Sequence, residues 1–303
     1  MLERVAARLW SSAWILLVLV NLFWAGNIVV GRAVAGQVPP VTLAFWRWTG
    51  AFVLGLALAW PHLRRDWPQL VLQWRLMLVL AFTGIATYNT MCYIGLQYTT
   101  AINVLLLQSV IPVVILVWAY ALFGERPSAA QALGIAVSLT GVAAIASGGS
   151  LDTLLHLSLN RGDAWILVAL VINSVYAPLL RRRPPVHPMS FLVAAMGLGV
   201  AMMLPAYAWE LAQGAVIRAG WTSWAALAYT AVLPSFVAYL FFNRAIELIG
   251  SARAGQSVHL MPLMGIMLAV GFLGERFYAY HAAGIILIGA GIFLAARRRG
   301  AAA

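Results

Sequence analysis

The sequence contains no lysine and few charged residues of any kind. Only 9% of its 303 residues are charged and 63% are hydrophobic, whereas an ordinary soluble domain has about 25% charged residues. A soluble core of this length cannot hide that much apolar surface, so the composition excludes a soluble domain and predicts a lipid bilayer as the main solvent. All 19 basic residues are arginines lying between apolar runs, a pattern typical of membrane topology and not of a nucleic-acid partner.

Several chemical signatures are also missing. Cys92 is the single cysteine, which excludes an intramolecular disulfide. The sequence shows no catalytic triad pattern and no cluster of metal ligands, and Gly148-Gly149-Ser150 lacks the lysine of a phosphate-binding loop. We therefore predict no catalytic residues, no metal, no cofactor and no enzymatic activity.

The apolar runs are about 20 residues long and show no period-two alternation, so they predict membrane helices and not barrel strands. Trp14 to Gly31 exceeds the roughly 7–15 residues of a signal-peptide core, so we interpret it as part of a retained first helix. The ten predicted spans are 13–32, 41–60, 75–97, 101–123, 129–147, 163–181, 189–209, 222–247, 254–273 and 279–296.

One block of sequence occurs twice. Pro112, Gly124-Glu125-Arg126 and Gly134 recur 150 residues later as Pro262, Gly274-Glu275-Arg276 and Gly284. Internal repetition in an apolar chain indicates a transporter built from two related halves. We predict a first five-helix repeat over 1–147, an external linker over 148–162, and a second repeat with a basic cytoplasmic tail over 163–303. The two Gly-Glu-Arg turns are interpreted as structural, each fixing the hairpin between its neighbouring helices.

The arginines also predict the orientation. With the N-terminus in the cytoplasm, fourteen of the 19 fall on the cytoplasmic side, as the positive-inside rule requires. Five helices in each half is an odd number, so the two copies would lie in opposite orientations as an inverted repeat. The prediction is an all-α integral membrane protein with both termini in the cytoplasm.

The stretch Phe23-Trp24-Ala25-Gly26-Asn27, together with Arg47 and the paired Pro…Gly-Glu-Arg…Gly blocks, resembles the EamA-type drug/metabolite transporter superfamily. The resemblance covers the whole chain and implies a multi-pass carrier of the bacterial inner membrane with ten helices. Many such carriers export amino acids, and the abundant tryptophan and tyrosine within the spans resemble the aromatic amino-acid exporters. The expected cargo is therefore aromatic or apolar amino acids, with similar drugs as further candidates. Related carriers move nucleotide sugars or triose phosphates, and these substrates remain alternatives, as does a non-transporting membrane assembly subunit.

Polar and aromatic residues inside the spans are candidates for the substrate path, because polar groups in lipid are costly. The competing interpretation is that they bond neighbouring helices as packing residues. Pro112 and Pro262 are candidate kinks for gating. The candidate substrate-binding residues are Trp24, Asn27, Tyr88, Asn89, Tyr93, Asn103, Gln108, Asn173, Tyr176, Tyr239, Asn243 and His259.

Arg47 is predicted to lie about six residues into the second span, roughly 9 Å deep at 1.5 Å per residue. We interpret it as a structural residue that snorkels to the external surface between Trp46 and Trp48, with a substrate carboxylate as the alternative partner. No aspartate or glutamate is placed near the middle of a span. Export driven by the substrate gradient, or proton coupling through His259, is therefore expected.

These patterns together predict an alternating-access carrier with a cavity between its halves. Amide and aromatic walls suit small zwitterions that have apolar side chains, so the expected partners are a small-molecule substrate and the bilayer. The sequence does not specify an oligomeric state, and a monomer satisfies the interpretation.

Overall fold

A computed structural model describes residues 10–125, 127–155, 160–250, 254–255 and 257–296, without the side chains of His259 and four other residues, 154, 155, 295 and 296. Over this part of the chain the regular elements are all helical, which confirms the predicted all-α class. Eight described helices are long and apolar enough to cross a membrane. They are α1 Ala13–Ala33, α2 Pro40–Leu72, α3 Trp74–Gly95, α4 Ala101–Phe123, α5 Ala129–Ala146, α6 Arg161–Leu180, α7 Pro188–Ala212 and α8 Trp221–Ile249.

Two shorter apolar helices follow, α9 Leu260–Leu273 and α10 Ala279–Ala296. A one-turn helix, Leu151–Leu155, lies in the connection between α5 and α6. α2 is longer than its predicted span of 41–60, because it continues through Pro61 and Pro68 to Leu72. Proline normally interrupts a helix. This extension buries Leu63 and Leu70, and their packing stabilises the helix beyond the prolines.

Two membrane helices contain a π-helical turn, Phe82–Ala86 in α3 and Leu233–Val237 in α8. The two turns occupy equivalent places in the repeated halves of the sequence. Side-chain hydroxyls bond the widened backbone: Thr87 Oγ1 donates to the carbonyl of Phe82 at 2.7 Å, and Ser235 Oγ donates to that of Thr230 at 2.7 Å. Such turns are often found at functional sites, because they redirect the side chains of one helical turn.

Helices α5 and α10 pack closely through glycines of the repeated block. A Cβ placed on Gly141 would lie 2.9 Å from the carbonyl oxygen of Gly284, and one placed on Gly291 would collide with the carbonyl oxygen of Gly134. Gly134 of α5 therefore faces Gly291 of α10, and Gly141 faces Gly284, so the two helices run antiparallel. The absence of side chains at these positions allows the backbones to approach, as in other small-residue membrane contacts.

Three carboxylates connect elements that are distant in sequence. Glu275, in the α9–α10 turn, accepts hydrogen bonds from the backbone N–H groups of Ala101 and Ile102, at 2.8 and 2.9 Å. Glu125 instead forms an ion pair with Arg181 at 2.8 Å. Our interpretation of Glu275 as a hairpin residue is therefore incomplete, because its carboxylate caps the start of α4, where unpaired N–H groups attract an anion. Glu210 caps α2 in the same way.

Candidate functional site

The side chain of Arg47 lies at the meeting point of four helices. It is only 4% exposed. Its Nε donates to Ser235 Oγ of α8, and its Nη1 lies within hydrogen-bond distance of Asn27 Oδ1 at 3.0 Å, of Asn89 Oδ1, and of the Tyr93 hydroxyl at 3.1 Å. The snorkelling interpretation is therefore wrong: the guanidinium points into the protein, because polar groups of α1, α3 and α8 solvate it there.

The charge of Arg47 has no anionic partner among the described residues. All four of its hydrogen-bond acceptors are neutral, and none of the described ion pairs includes it. The ring of Trp48 lies 4.8 Å from the guanidinium carbon and contributes a cation–π contact. Neutral dipoles and one ring solvate a buried cation without cancelling its charge, so this site attracts an anion.

Close helix contacts and cross-helix hydrogen bonds hold these side chains in place. A Cβ on Gly31 would lie 2.8 Å from the ring of Tyr93, so glycine allows that ring to pack against α1. The Tyr93 hydroxyl then donates to Asn27 Oδ1 at 2.5 Å. On the preceding turn of α1, Trp24 Nε1 donates at 3.1 Å to the carbonyl of Pro234, within the π turn of α8. The π turn of α8 thus contributes directly to the site.

A cavity of about 270 Å³ adjoins Arg47. Its walls come from both halves of the chain, with α1, α2, α3 and α4 from one and α6, α7, α8 and α9 from the other. Eight of the twelve predicted substrate-binding residues line it. They are Trp24, Asn27, Tyr88, Asn89, Gln108, Asn173, Tyr176 and Tyr239.

The remaining predicted residues lie elsewhere. Tyr93 is buried behind the cavity wall, against Arg47. Asn243 is half-buried on α8 and does not line the cavity. The side chain of His259 lies outside the described part of the chain.

Asn103 belongs to a different polar cluster, near the start of α4. Its Nδ2 lies 3.3 and 3.2 Å from the two carboxylate oxygens of Asp163, and its Oδ1 lies 3.1 Å from His281 Nε2. Asp163 is 1% exposed and also accepts a hydrogen bond from Thr99. The sequence did not indicate this cluster, because an aspartate in the first turn of a helix usually caps that turn at the surface.

The predicted kinks take a specific form. A 3₁₀ turn, Gln108–Val110, interrupts the path just before Pro112, which occupies the first turn of the following helix. A second 3₁₀ turn, Ser257–His259, precedes Pro262. In both copies the interruption therefore lies ahead of the proline, and the first of them places Gln108 in the cavity wall.

A larger apolar groove of about 490 Å³ lies between α2, α3 and α7. Its lining includes Trp60, Trp67 and Trp74, whose side chains are all exposed. Because it contains few polar groups, the groove offers little to orient a polar ligand. The cavity beside Arg47, although smaller, is the better candidate for a specific site.

A cavity that carries polar and aromatic side chains between apolar helices from two halves of a chain is the architecture of a membrane transport protein. Among the described residues no group of three or more histidine, cysteine, aspartate or glutamate side chains could hold a metal ion. The EamA-like transporter family matches the chain twice, over residues 11–147 and 160–297. The chain therefore belongs to the EamA-like transporter family, whose members are multi-pass membrane transporters and not enzymes.

Comparison with individual proteins gives the same class. The uncharacterized transporter YyaM of Bacillus subtilis is 23% identical over 94% of this chain and 93% of its own length. An uncharacterized transporter of Archaeoglobus fulgidus is 27% identical over 94% of this chain and 97% of its own length. A probable terminal-alkyne amino-acid exporter of Streptantibioticus cattleyicolor is 27% identical, over 64% of this chain and 63% of that protein.

A solved crystal structure resembles the fold throughout. It superposes with a TM-score of 0.60 and 21% sequence identity, covering 94% of this chain and 98% of the other. This likeness extends across both repeats and supports the arrangement of helices described above.

Proposed function

We propose that this transporter exports amino acids with apolar or aromatic side chains across the bacterial inner membrane. The observation that carries the proposal is the cavity of about 270 Å³ between the two halves, in which tryptophan and tyrosine rings surround amide groups and a buried arginine. A similar protein is described as a probable amino-acid exporter. Ligand pockets for drug-sized molecules span about 300–1,000 Å³, so a cavity just below that range favours a small metabolite over a nucleotide sugar.

The proposed mechanism is alternating access by two inverted repeats. In this arrangement ten helices span the membrane and both termini are cytoplasmic, with repeats over 1–147 and 163–303 and an external linker over 148–162. The antiparallel packing of α5 and α10, through equivalent glycines, is the relation that an inverted repeat requires. The arginine distribution supports the orientation.

With this orientation, the contacts between helix ends support a conformation closed towards the outside. At the external ends, Arg32 Nη1 donates to the carbonyl of Leu96 at 2.7 Å, and Glu275 caps α4. The cavity wall includes Tyr176 of α6 and Met261 of α9, which lie towards the cytoplasmic ends of their helices. Export would require these external contacts to break after cargo enters from the cytoplasm.

Counterflow in proteoliposomes tests this function. Proteoliposomes that contain the purified protein are loaded with one unlabelled compound, and the same compound in labelled form is added outside. The compounds are phenylalanine, leucine, a sugar, a nucleotide sugar and a cationic drug. We expect saturable accumulation with phenylalanine and leucine. Accumulation of the nucleotide sugar alone would identify the alternative cargo class. Saturation itself argues against a passive channel, and no accumulation of any compound would favour an assembly subunit.

The energy source requires a separate experiment. We propose a uniporter that follows the substrate gradient, as expected from the shortage of acidic residues in the spans. Uptake is measured at a fixed substrate gradient, with and without a proton gradient. Equal rates support the uniporter, whereas strict dependence on the proton gradient would contradict it and would direct attention to His259 and to the buried Asp163.

A further inference from the structure

The hydrogen bonds of Arg47 leave one end of its guanidinium unused. A guanidinium has five N–H groups, one on Nε and two on each terminal nitrogen. Nε bonds Ser235, and Nη1 contacts Asn27, Asn89 and Tyr93. Among the described residues no acceptor is bonded to Nη2, although Arg47 as a whole is 4% exposed and lines the cavity. Because Arg47 lines the cavity, the two N–H groups of Nη2 are the donors of this cation that remain for a ligand.

A second donor in the same wall also lacks a partner. Nε2 of Gln108 is buried and makes no hydrogen bond within the described chain, and Gln108 lines the cavity together with Arg47. An unpaired buried donor costs about 1–3 kcal/mol, so Gln108 Nε2, in the same wall as Arg47, favours an occupant that supplies acceptor oxygens. No unpaired buried acceptor is found among the described cavity-lining side chains.

Nη1 is fully used within the protein. Three acceptors surround its two N–H groups, and one of them, the Tyr93 hydroxyl, itself donates to Asn27. A ligand therefore takes its hydrogen bonds from the two N–H groups of Nη2, without displacing a contact of Nη1. A carboxylate suits this position, because bonds between a guanidinium and a carboxylate are charge-assisted and stronger than neutral ones.

We propose that Arg47 binds the carboxylate of the transported molecule, that Gln108 contributes a further hydrogen bond, and that a carboxylate is the obligatory feature of the cargo. This rests on the proposed function and deepens it, since it names the group that is recognised. The single positive charge matches a monoanion. No other arginine is found in the described lining of the cavity, so a phosphate dianion would remain partly uncompensated.

The first test uses the unaltered protein and a matched ligand series. Labelled phenylalanine is exchanged in proteoliposomes against phenylalanine, phenylalaninamide, phenethylamine and 3-phenylpropionate as unlabelled competitors. We expect phenylalanine and 3-phenylpropionate to compete, and the amide and amine to need at least 10-fold higher concentrations. Competition by the amide equal to that of the acid would overturn the inference while leaving amino-acid export intact.

The same series separates failure of the inference from failure of the proposed function. If labelled 3-phenylpropionate is exchanged but amino acids are neither exchanged nor compete with it, carboxylate recognition is supported and amino-acid export is contradicted. When no compound of the series is exchanged or stabilises the purified protein against heat, both statements are contradicted.

A second test assigns the recognition to Arg47. Arg47→Gln removes the charge, Arg47→Lys keeps the charge but not the planar fork, and Arg218→Gln removes a charge from the exposed α7–α8 connection. We expect Arg47→Gln to lose the 10-fold preference for acid over amide, Arg47→Lys to retain part of it, and Arg218→Gln to retain all of it. An unchanged preference in a folded Arg47→Gln protein would contradict the assignment. If that variant does not fold, Arg47→Lys decides the assignment, and a preference unchanged from that of the unaltered protein would contradict it.

Discussion

The carboxylate of Glu210, near the end of α7, holds Thr42 at the start of α2. One oxygen lies 2.6 Å from the backbone nitrogen of Thr42 and 2.7 Å from its hydroxyl, and the other lies 3.0 Å from the nitrogen of Val41. Arg47 lies little more than one turn further along α2. The contact between helices of different repeats therefore fixes the part of α2 that carries the buried cation.

Glu210→Gln should lower the stability of the protein. The amide keeps the shape but loses the charge that favours a helix N-terminus, and one of its ends can no longer accept. We expect a loss of about 1–2 kcal/mol, measured as a lower Tm in detergent. The matched control is Glu247→Gln, whose carboxylate forms an exposed ion pair with Arg244 and whose loss should cost less than about 1 kcal/mol. Equal effects would show that the Glu210 cap has no special role.

Gly84→Ala should change the size of substrate that the cavity accepts. The added Cβ would lie 2.7 Å from two ring atoms of Tyr176, and the cavity is the free space beside that ring. We therefore expect weaker competition by phenylalanine and tryptophan, with less effect on alanine and valine, in counterflow assays. Differences of one or two methylene groups change discrimination by about 1–3 kcal/mol, so a change of 10-fold or more is measurable.

The control for this experiment is Gly271→Ala on α9, where an added Cβ meets no atom within 4 Å. It should leave the order of competitors unchanged. If Gly84→Ala weakened the competition by all amino acids equally, the substitution would act through helix packing and not through the volume of the cavity.

Gly141→Ala should destabilise the contact between α5 and α10. Its Cβ would lie 2.9 Å from the Gly284 carbonyl oxygen and 2.9 Å from a side-chain carbon of Ile288, and backbone atoms cannot move aside easily. We expect a loss of about 1–3 kcal/mol from overpacking, seen as a lower Tm. Gly289→Ala, with no atom within 4 Å, should be neutral or slightly stabilising because alanine favours a helix. An unchanged Tm in Gly141→Ala would indicate that the two helices are not closely packed.

Much of the fold could be predicted from the sequence, because lipid imposes simple rules. Apolar runs of sufficient length form helices, and polar residues within them turn inward. These rules locate most of the helices and explain why residues such as Trp24, Asn89 and Tyr239 meet around one cavity. The spacing of residues gives the face of a helix but not what lies opposite it, so the separate cluster of Asn103 with Asp163 could not be anticipated.

The central position of Arg47 illustrates the same limit. An arginine about two turns into a span, with a tryptophan on either side, has the same sequence pattern whether it points to the surface or to the interior. Its direction depends on Asn27, Asn89 and Ser235, which come from three other helices. The π turn that presents Ser235 likewise depends on packing between helices and has no distinctive sequence signal.

The proposed closure towards the outside gives a final prediction, which concerns the transport cycle. Glu275 joins the α9–α10 turn of the second half to the first two N–H groups of α4 in the first, and its carboxylate lies 4.0 Å from Arg32. Glu275→Gln weakens this contact without removing atoms. A loss of about 1 kcal/mol in the closed state changes the population ratio roughly 5-fold, so the variant should open to the outside more often.

The opening can be measured with a cysteine at Ile28, which lines the cavity and is 2% exposed. In Ile28→Cys protein, a membrane-impermeant maleimide applied from outside should label faster, by roughly 5-fold, when Glu275→Gln is also present. The native Cys92 is fully buried, and its labelling without Ile28→Cys gives the background. Glu125→Gln, which removes an ion pair with exposed partners at the opposite ends of the helices, is the control and should not raise the external rate. Faster labelling with Glu125→Gln and not with Glu275→Gln would reverse the proposed orientation, since the side that opens must be the side on which the broken contact lies.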